Sequence, residues 1–367
     1  MKVAILGLGV VGRGVYDILA NDFKDITVKY IFDKDDNKTK DVKHLLAESY
    51  EQIINDREVE VVIELIGGKN VAYDFIVKAI KNHKNVVTAN KALISERFKE
   101  LNELAKKYNV KLLYEASVAG AVILIDPLKK IREINQINKI EGILNGSTNY
   151  ILSKVFLEGV ELKEAISNAY KLGYLETGSD DDMNGLDSLR KVNILSMLSY
   201  KTFLKEEDIL RISLLSLNEK FINYVKDKGC FIKYIAQSEV RNNRLSIKVE
   251  PLVIGSQSIF ANINYEENIV NIFGKYHLKQ SFVGQGAGRY PTASAVIYDL
   301  LTIKSIANEC FEFNKIYQVN NNDERYHFLI QTFDKIYKSK LMTYGELQRK
   351  KDIIFFSRIE EGLYEKL

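Results

Sequence analysis

Lys2-Val3-Ala4-Ile5-Leu6-Gly7-Leu8-Gly9-Val10-Val11-Gly12 is the stretch whose reading decides the fold. Its apolar run predicts a buried strand, and the glycines that follow predict a tight turn into a helix. Gly7 permits the turn, Gly9 lets a backbone approach a pyrophosphate, and Gly12 lets the helix pack closely on the strand. Val10 and Val11 fall in the first helical turn, where free N–H groups and the helix dipole favour an anion. Gly7, Gly9, Val10, Val11 and Gly12 therefore read as a dinucleotide-binding loop. The competing reading is a glycine-rich turn in some other α/β protein. Asp33 weighs against it, because it ends the second strand 21 residues beyond Gly12. A carboxylate there hydrogen-bonds an adenosine ribose and repels a 2′-phosphate, which leans towards NAD. Lys34 and Lys38 follow directly and could receive that phosphate, so NADP stays open. The same loop resembles a calcium loop only superficially. Lys38 stands where that motif needs glycine and His44 where it needs glutamate, so it reads as a solvated loop.

Outward from this loop, short apolar runs alternate with helical patterns. Strands are expected at Lys2–Leu6, Ile26–Phe32, Val59–Leu65, Asn85–Thr88 and Lys111–Tyr114, giving βαβ units and a parallel sheet. From about Glu133 the texture changes to helices at Asn149–Glu158, Leu162–Leu172 and Gly185–Tyr200. Strand-like alternation follows at Phe231–Glu239, Arg244–Leu252, Ile269–Phe273 and Tyr276–Val283, and Tyr290 to Cys310 reads as helix. The fold class is α/β: a Rossmann-type nucleotide-binding domain over 1–135, completed by 284–310, and an α+β catalytic and dimerisation domain over 136–283. Residues 311–367 form a short C-terminal extension. It reads as one strand (Tyr326–Phe333), one helix (Asp334 to about Arg349) and one strand (Asp352–Arg358), a β-α-β unit. Such a half-sheet leaves Phe328, Ile330, Ile353 and Phe355 to be covered, so docking on the chain's own catalytic domain or on a partner subunit is expected, not a free-standing effector sensor.

The chemistry concentrates in Gly173-Tyr174-Leu175-Glu176-Thr177-Gly178-Ser179-Asp180-Asp181-Asp182-Met183-Asn184-Gly185-Leu186-Asp187-Ser188-Leu189-Arg190-Lys191. An acidic loop feeds a helix on which Asp187 and Lys191 share a face. The bland reading is a surface ion pair worth a few tenths of a kcal/mol. Against it, Val192, Ile194, Leu195 and Leu198 crowd the same helix. A lysine in apolar surroundings has its pKa lowered and becomes a usable proton donor or acceptor.

Taken together, these stretches resemble the homoserine dehydrogenase family. The resemblance is carried by the loop at 7–12, Glu64-Leu65-Ile66-Gly67-Gly68, Thr88-Ala89-Asn90-Lys91 and Tyr114-Glu115-Ala116-Ser117-Val118-Ala119-Gly120. It continues in Gly142-Ile143-Leu144-Asn145-Gly146-Ser147-Thr148-Asn149-Tyr150, the 173–195 segment, and Gly284-Gln285-Gly286-Ala287-Gly288. The resemblance implies a catalytic Lys191 with Asp187 orienting it, and Lys91 as a second lysine at the nicotinamide. It implies Glu176 and Asp182 on the substrate ammonium, with Tyr174 and Gly146 nearby, and Gly286 at the cofactor. It also implies a monovalent-cation (Na⁺ or K⁺) site made by the carbonyls of Val118, Gly120 and Val122 with the Glu115 carboxylate. The implied reaction is NAD(P)-dependent interconversion of L-aspartate 4-semialdehyde and L-homoserine by hydride transfer, within threonine and methionine biosynthesis. Departures from the family pattern are Ala121-Val122-Ile123-Leu124 after the 115–120 stretch, Ser147 for a threonine, and Thr177-Gly178-Ser179 for Ala-Asp-Pro.

Two other readings compete with this one. An aldehyde dehydrogenase-like enzyme needs a thiolate nucleophile, but Cys230 and Cys310 have no histidine beside them. A non-catalytic NAD-sensing protein would be expected to lack Glu176, Asp187 or Lys191, and all three are present. Composition narrows the field further. The 367 residues carry 52 Lys+Arg against 49 Asp+Glu, a net charge of +3 that gives no bulk reason to bind nucleic acid. Two cysteines offer neither a disulfide framework nor a zinc cluster. The four histidines are scattered. No apolar run reaches the ~18 residues of a membrane span. A cytoplasmic homodimer or higher homo-oligomer acting on a small molecule, with no membrane or nucleic-acid partner, is expected.

Overall fold

A computed structural model describes residues 1–175, 178, 180–305 and 311–367. The chain divides into two compact units, one of 1–130 with 285–314, the other of 131–284 with 315–367. The first runs β1 (Lys2–Leu6), α1 (Val10–Asp22), β2 (Thr27–Phe32), α2 (Asp36–Thr39), α3 (Tyr50–Asn55), β3 (Val61–Glu64) and α4 (Asn70–Lys81). Then come β4 (Asn85–Thr88), α5 (Lys91–Lys107), β5 (Leu112–Leu113) and the start of α6 (Ile125–Ile134). Its sheet is parallel, in the order β2-β1-β3-β4-β5. β1, β3 and most of β4 are buried, as continuous apolar runs in a two-sided sheet must be. The order reverses between β1 and β3, and in open α/β sheets the crevice at that reversal is where ligands bind.

The second unit continues with β6 (Ile137–Ile143), α7 (Gly146–Glu158), α8 (Leu162–Lys171), α9 (Leu186–Tyr200), β7 (Leu210–Arg211) and α10 (Glu219–Asp227). The long strands β8 (Phe231–Arg241), β9 (Arg244–Ile254), β10 (Glu267–Gly274) and β11 (Leu278–Gln285) follow. The chain then returns to the first unit as α11 (Arg289–Thr302), which packs on α1. Ala293, Val296 and Leu300 of α11 join Val15, Leu19 and Ile31 in one core. Gly14 permits this approach, since a Cβ there would come within 2.9 Å of the Arg289 carbonyl oxygen.

The last elements, β12 (Gln318–Val319), β13 (Phe328–Gln331), β14 (Ile336–Lys338), α12 (Tyr344–Gln348) and β15 (Phe355–Ile359), belong to the second unit. Its mixed sheet runs β11-β10-β6-β8-β9-β15-β13-β14. One edge of β9 is paired along its length with β8, and the other takes β12, β7 and β15 in turn as short parallel partners. The extension is therefore part of this sheet. It is not a β-α-β unit: β13 and β14 form an antiparallel hairpin closed by Thr332 N–H on the Lys335 carbonyl at 2.9 Å. The expected helix is confined to α12, which Thr343 and Glu346 start with a reciprocal capping box. Phe328, Ile330, Tyr344 and Leu347 form the small core beneath.

β6 is a second departure. Ile137, Ile140 and Ile143 are three apart, a helical spacing that conceals a strand lying between β10 and β8. Among the described residues no helix is long and apolar enough to cross a membrane.

Candidate functional site

In the first unit, β1 delivers the glycine loop into α1. Gly7 has φ of 92°, and a Cβ there would come within 2.7 Å of the Leu65 carbonyl oxygen. At Gly12 a Cβ would collide with the Gly7 carbonyl oxygen at 2.0 Å. The protein itself thus requires glycine at both positions. Gly9 is different: a Cβ there would meet nothing within 4 Å. Gly9 is also the N-cap of α1, with no side-chain capping bond and no acidic residue in the first turn. Those N–H groups and the open space before them suit an anion. Val10 is exposed and Val11 packs on the core. The Asp33 carboxylate accepts the Leu8 N–H at 2.5 Å and the Asp35 N–H at 2.8 Å, which holds it against the loop.

Lys91 is the first residue of α5, and its backbone is fixed by a buried relay. Glu64, at the end of β3, accepts the Thr88 hydroxyl at 2.6 Å and the N–H groups of Ile66 and Gly67. Burial pushes the Glu64 carboxyl above the usual range. The Thr88 hydroxyl accepts the Asn90 N–H at 3.0 Å, and Asn90 caps α5 while donating to the Gly68 carbonyl at 2.6 Å. Gly286 meets the 115–120 stretch: a Cβ on Gly120 would lie 2.5 Å from its carbonyl oxygen.

The Glu115 carboxylate has a structural task. It accepts the N–H groups of Leu124 (2.5 Å), Ile125 (2.6 Å) and Asp126 (3.0 Å), satisfying donors at the start of α6. A carboxylate so engaged is a helix cap before it is a cation ligand. Val118, Gly120 and Val122 are buried beside it, and a carbonyl-only site needs no carboxylate.

In the second unit, α9 is buried on nearly every face. The Lys191 ammonium is 2.8 Å from the Asp187 carboxylate and donates to the Leu144 carbonyl at 2.7 Å. Both side chains are under a tenth exposed, so this i,i+4 pair is not a surface bridge. Asn145, the N-cap of α7, donates to Asp187 at 2.8 Å and to Asp182 at 2.5 Å. Gly146 opens α7, with little room for a side chain against the Glu266 carbonyl. Tyr174 stacks on Tyr150 at 4.6 Å between ring centroids, and its carbonyl accepts the Ser147 hydroxyl at 2.5 Å. The structure thus brings Lys191, Asp187 and Asp182 into one network, and the same 144–147 turn holds Tyr174. Glu176 lies outside the described residues.

Family models described as "Homoserine dehydrogenase, NAD binding domain" and "Homoserine dehydrogenase" match residues 7–115 and 124–301. A homoserine dehydrogenase of Synechocystis sp. is 35% identical over 319 residues, covering 83% of this chain and 74% of that relative. The chain belongs to the homoserine dehydrogenase family. A homoserine dehydrogenase of Bacillus subtilis is 32% identical over 315 residues, covering 83% of this chain and 72% of its own. The solved homoserine dehydrogenase of Thiobacillus denitrificans shares the fold, with a TM-score of 0.89 at 24% identity over 98% of both chains.

Within this oxidoreductase family, residues 7–115 of the first unit match the NAD-binding domain. Neither competing reading gains support. Cys230 is buried, burial raises its thiol pKa, and it donates to the Lys228 carbonyl at 3.4 Å, the environment of an inert thiol. Cys310 lies outside the described residues. The residue that sequence reading did not single out is Asn145. Its signal was present as Asn145-Gly146-Ser147-Thr148, a capping residue ahead of a helix. Its second task, donating to two acids distant in sequence, leaves no local trace.

Proposed function

We propose that this chain interconverts L-aspartate 4-semialdehyde and L-homoserine with a nicotinamide cofactor. The observation that carries this reading is the buried Asp187–Lys191 pair joined through Asn145 to Asp182. When bound, the cofactor supplies or accepts the hydride. Lys191 gives a proton to the substrate oxygen as the aldehyde is reduced and takes it back as the alcohol is oxidised. Asp187 orients that ammonium, and Lys91 is the second cation serving the developing alkoxide. Asp182 and Glu176 grip the substrate ammonium, whose three donors need that many acceptors. Tyr174 and Gly146 shape the same end. Oxidation of homoserine is favoured at alkaline pH, because the lysine that takes the hydroxyl proton must first lose its own.

For the cofactor, Gly7, Gly9, Val10, Val11, Gly12 and Gly286 hold the pyrophosphate end, and Asp33 reads the ribose, favouring NAD over NADP. A monovalent cation, Na⁺ or K⁺, is held by the carbonyls of Val118, Gly120 and Val122, with Glu115 supporting them as the α6 cap. A homodimer is the proposed assembly. β11 is an edge strand with exposed Leu278 and Val283, the kind of edge that proteins cover. Initial rates with aspartate semialdehyde under NADH and NADPH in parallel test the activity and the preference together. Absence of turnover with either would end this reading.

A further inference from the structure

We infer that Asn145 is a positioning residue that ties the substrate-ammonium acid to the proton-transferring pair. The inference rests on the roles proposed above for Asp182, Asp187 and Lys191. Its carboxamide orientation is fixed. The Oδ1 atom accepts the Thr148 N–H at 2.7 Å and the Thr148 hydroxyl at 2.8 Å, and only the oxygen can accept from an N–H. The two Nδ2 protons therefore go one to Asp182 Oδ1 at 2.5 Å and one to Asp187 Oδ2 at 2.8 Å.

One neutral group thus spans two carboxylates that would otherwise repel. The preceding residue extends the arrangement, since the Leu144 carbonyl takes a proton of the Lys191 ammonium. Lys191 is thereby held from two sides, by a carbonyl of the 144–145 dipeptide and by an acid that the dipeptide's side chain orients. A helix cap alone needs only the Oδ1 contacts, and serine or aspartate would serve there equally well. The two Nδ2 contacts are beyond what capping requires, and asparagine supplies both kinds.

Other charged and titratable groups lie around this network. Asp181 pairs with Arg190, which also meets Glu206, and Arg211 donates to Asn184 at the start of α9. Tyr234 of β8 closes on Gly185 from the sheet side. None of these replaces a donor from Asn145.

Two variants separate the roles while keeping the cap: Asn145→Ser and Asn145→Asp. Both are expected to fold with unchanged far-ultraviolet circular dichroism. Each is expected to lose about tenfold to a hundredfold in kcat/KM for homoserine, the ratio expected from losing a hydrogen bond to a charged group. The acidic limb of the kcat/KM profile should move to higher pH, further in Asn145→Asp, since removing a donor from Asp187 or adding a negative charge beside the Asp187–Lys191 pair favours its protonated form. In the Asp187→Ala background the remaining effect of Asn145→Ser should shrink, because coupled residues are not additive. Both variants retaining kcat/KM with an unmoved acidic limb, or the same penalty from Asn145→Ser with and without Asp187, would overturn the positioning role. Failure of the underlying mechanism reads out separately, as full turnover in Lys191→Ala whatever stands at position 145.

Discussion

Replacing Lys191 by alanine removes the proposed proton donor and the partner of a buried carboxylate. Turnover is expected to fall by about a hundredfold or more, within the usual contribution of a positioned acid or base. Fluorescence titration of NAD(P)H should show cofactor affinity within about twofold of the parent chain. Near-normal turnover would remove Lys191 from the chemistry. At the other end of the proposed cofactor path, Asp33→Ser keeps a hydrogen-bonding side chain while removing the charge that repels a 2′-phosphate. The ratio of kcat/KM for NADPH over NADH should rise about tenfold, and an unchanged ratio would mean that Asp33 serves only Leu8 and Asp35. Legibility at this scale divides by the range of the contact. Gly7, Gly12 and the Asp187–Lys191 pair are readable because a positive φ in a turn, the approach of Gly12 to Gly7 and an i,i+4 pair are all local. The double use of Asn145 is not, because Asp182 and Asp187 reach it across 37 and 42 residues of chain. The hold of the Glu115 carboxylate on the N–H groups of Leu124, Ile125 and Asp126 is likewise hidden, because it closes a loop of nine to eleven residues that has no helical or strand period.

Between elements, the contact of α11 with the 115–126 segment places unusual acids together. Asp299 on α11 accepts the Glu115 N–H at 2.9 Å while buried, and Tyr298 donates to Asp126 at 2.6 Å. Burial, reinforced by the nearby Glu115, pushes the Asp299 carboxyl well above the usual range, and burial also raises the Glu115 carboxyl. A folded-state pKa above the unfolded value means that the folded chain keeps protons the unfolded chain has released. The stability this contributes is complete below about pH 4, the unfolded value, and is lost as pH rises through the folded value. Melting temperature is therefore expected to fall across that range by about 3 °C or more, the shift for roughly 1 kcal/mol in a unit of this size. Asp299→Asn should flatten that slope, and an equal slope in both proteins would refute the assignment. Element types were legible wherever period and burial agreed, as in β1, β4 and α9. β6 was hidden by isoleucines at helical spacing, and β14 because Ile336-Tyr337-Lys338 pairs only once Asp334 and Lys335 have turned the chain.

Across the whole molecule, the C-terminal extension is held by charge as well as by its strands. Arg358 of β15 donates to Glu250 of β9 at 2.6 Å, Tyr344 donates to the same carboxylate, and buried Lys248 lies 4.0 Å from the Tyr326 ring. Burial lowers the Lys248 pKa to about 8. Arg358→Met should destabilise the second unit by about 3–5 kcal/mol, the cost of stranding a buried charge, in urea unfolding followed by tyrosine fluorescence. Adding Glu250→Gln should recover much of that loss, and no recovery would mean that packing, not charge, holds the strand. The route of the chain between its units has a different kind of consequence, one that concerns synthesis. The core of the first unit includes Ala293, Val296 and Leu300, so its parallel sheet leaves the ribosome long before the helix that covers α1 has been translated. At about 5–20 residues per second, the nascent sheet waits on the order of ten to thirty seconds with that apolar face bare. Codon changes that slow the ribosome between residues 131 and 284 would lengthen this wait and lower the yield of folded enzyme, while every amino acid stayed the same.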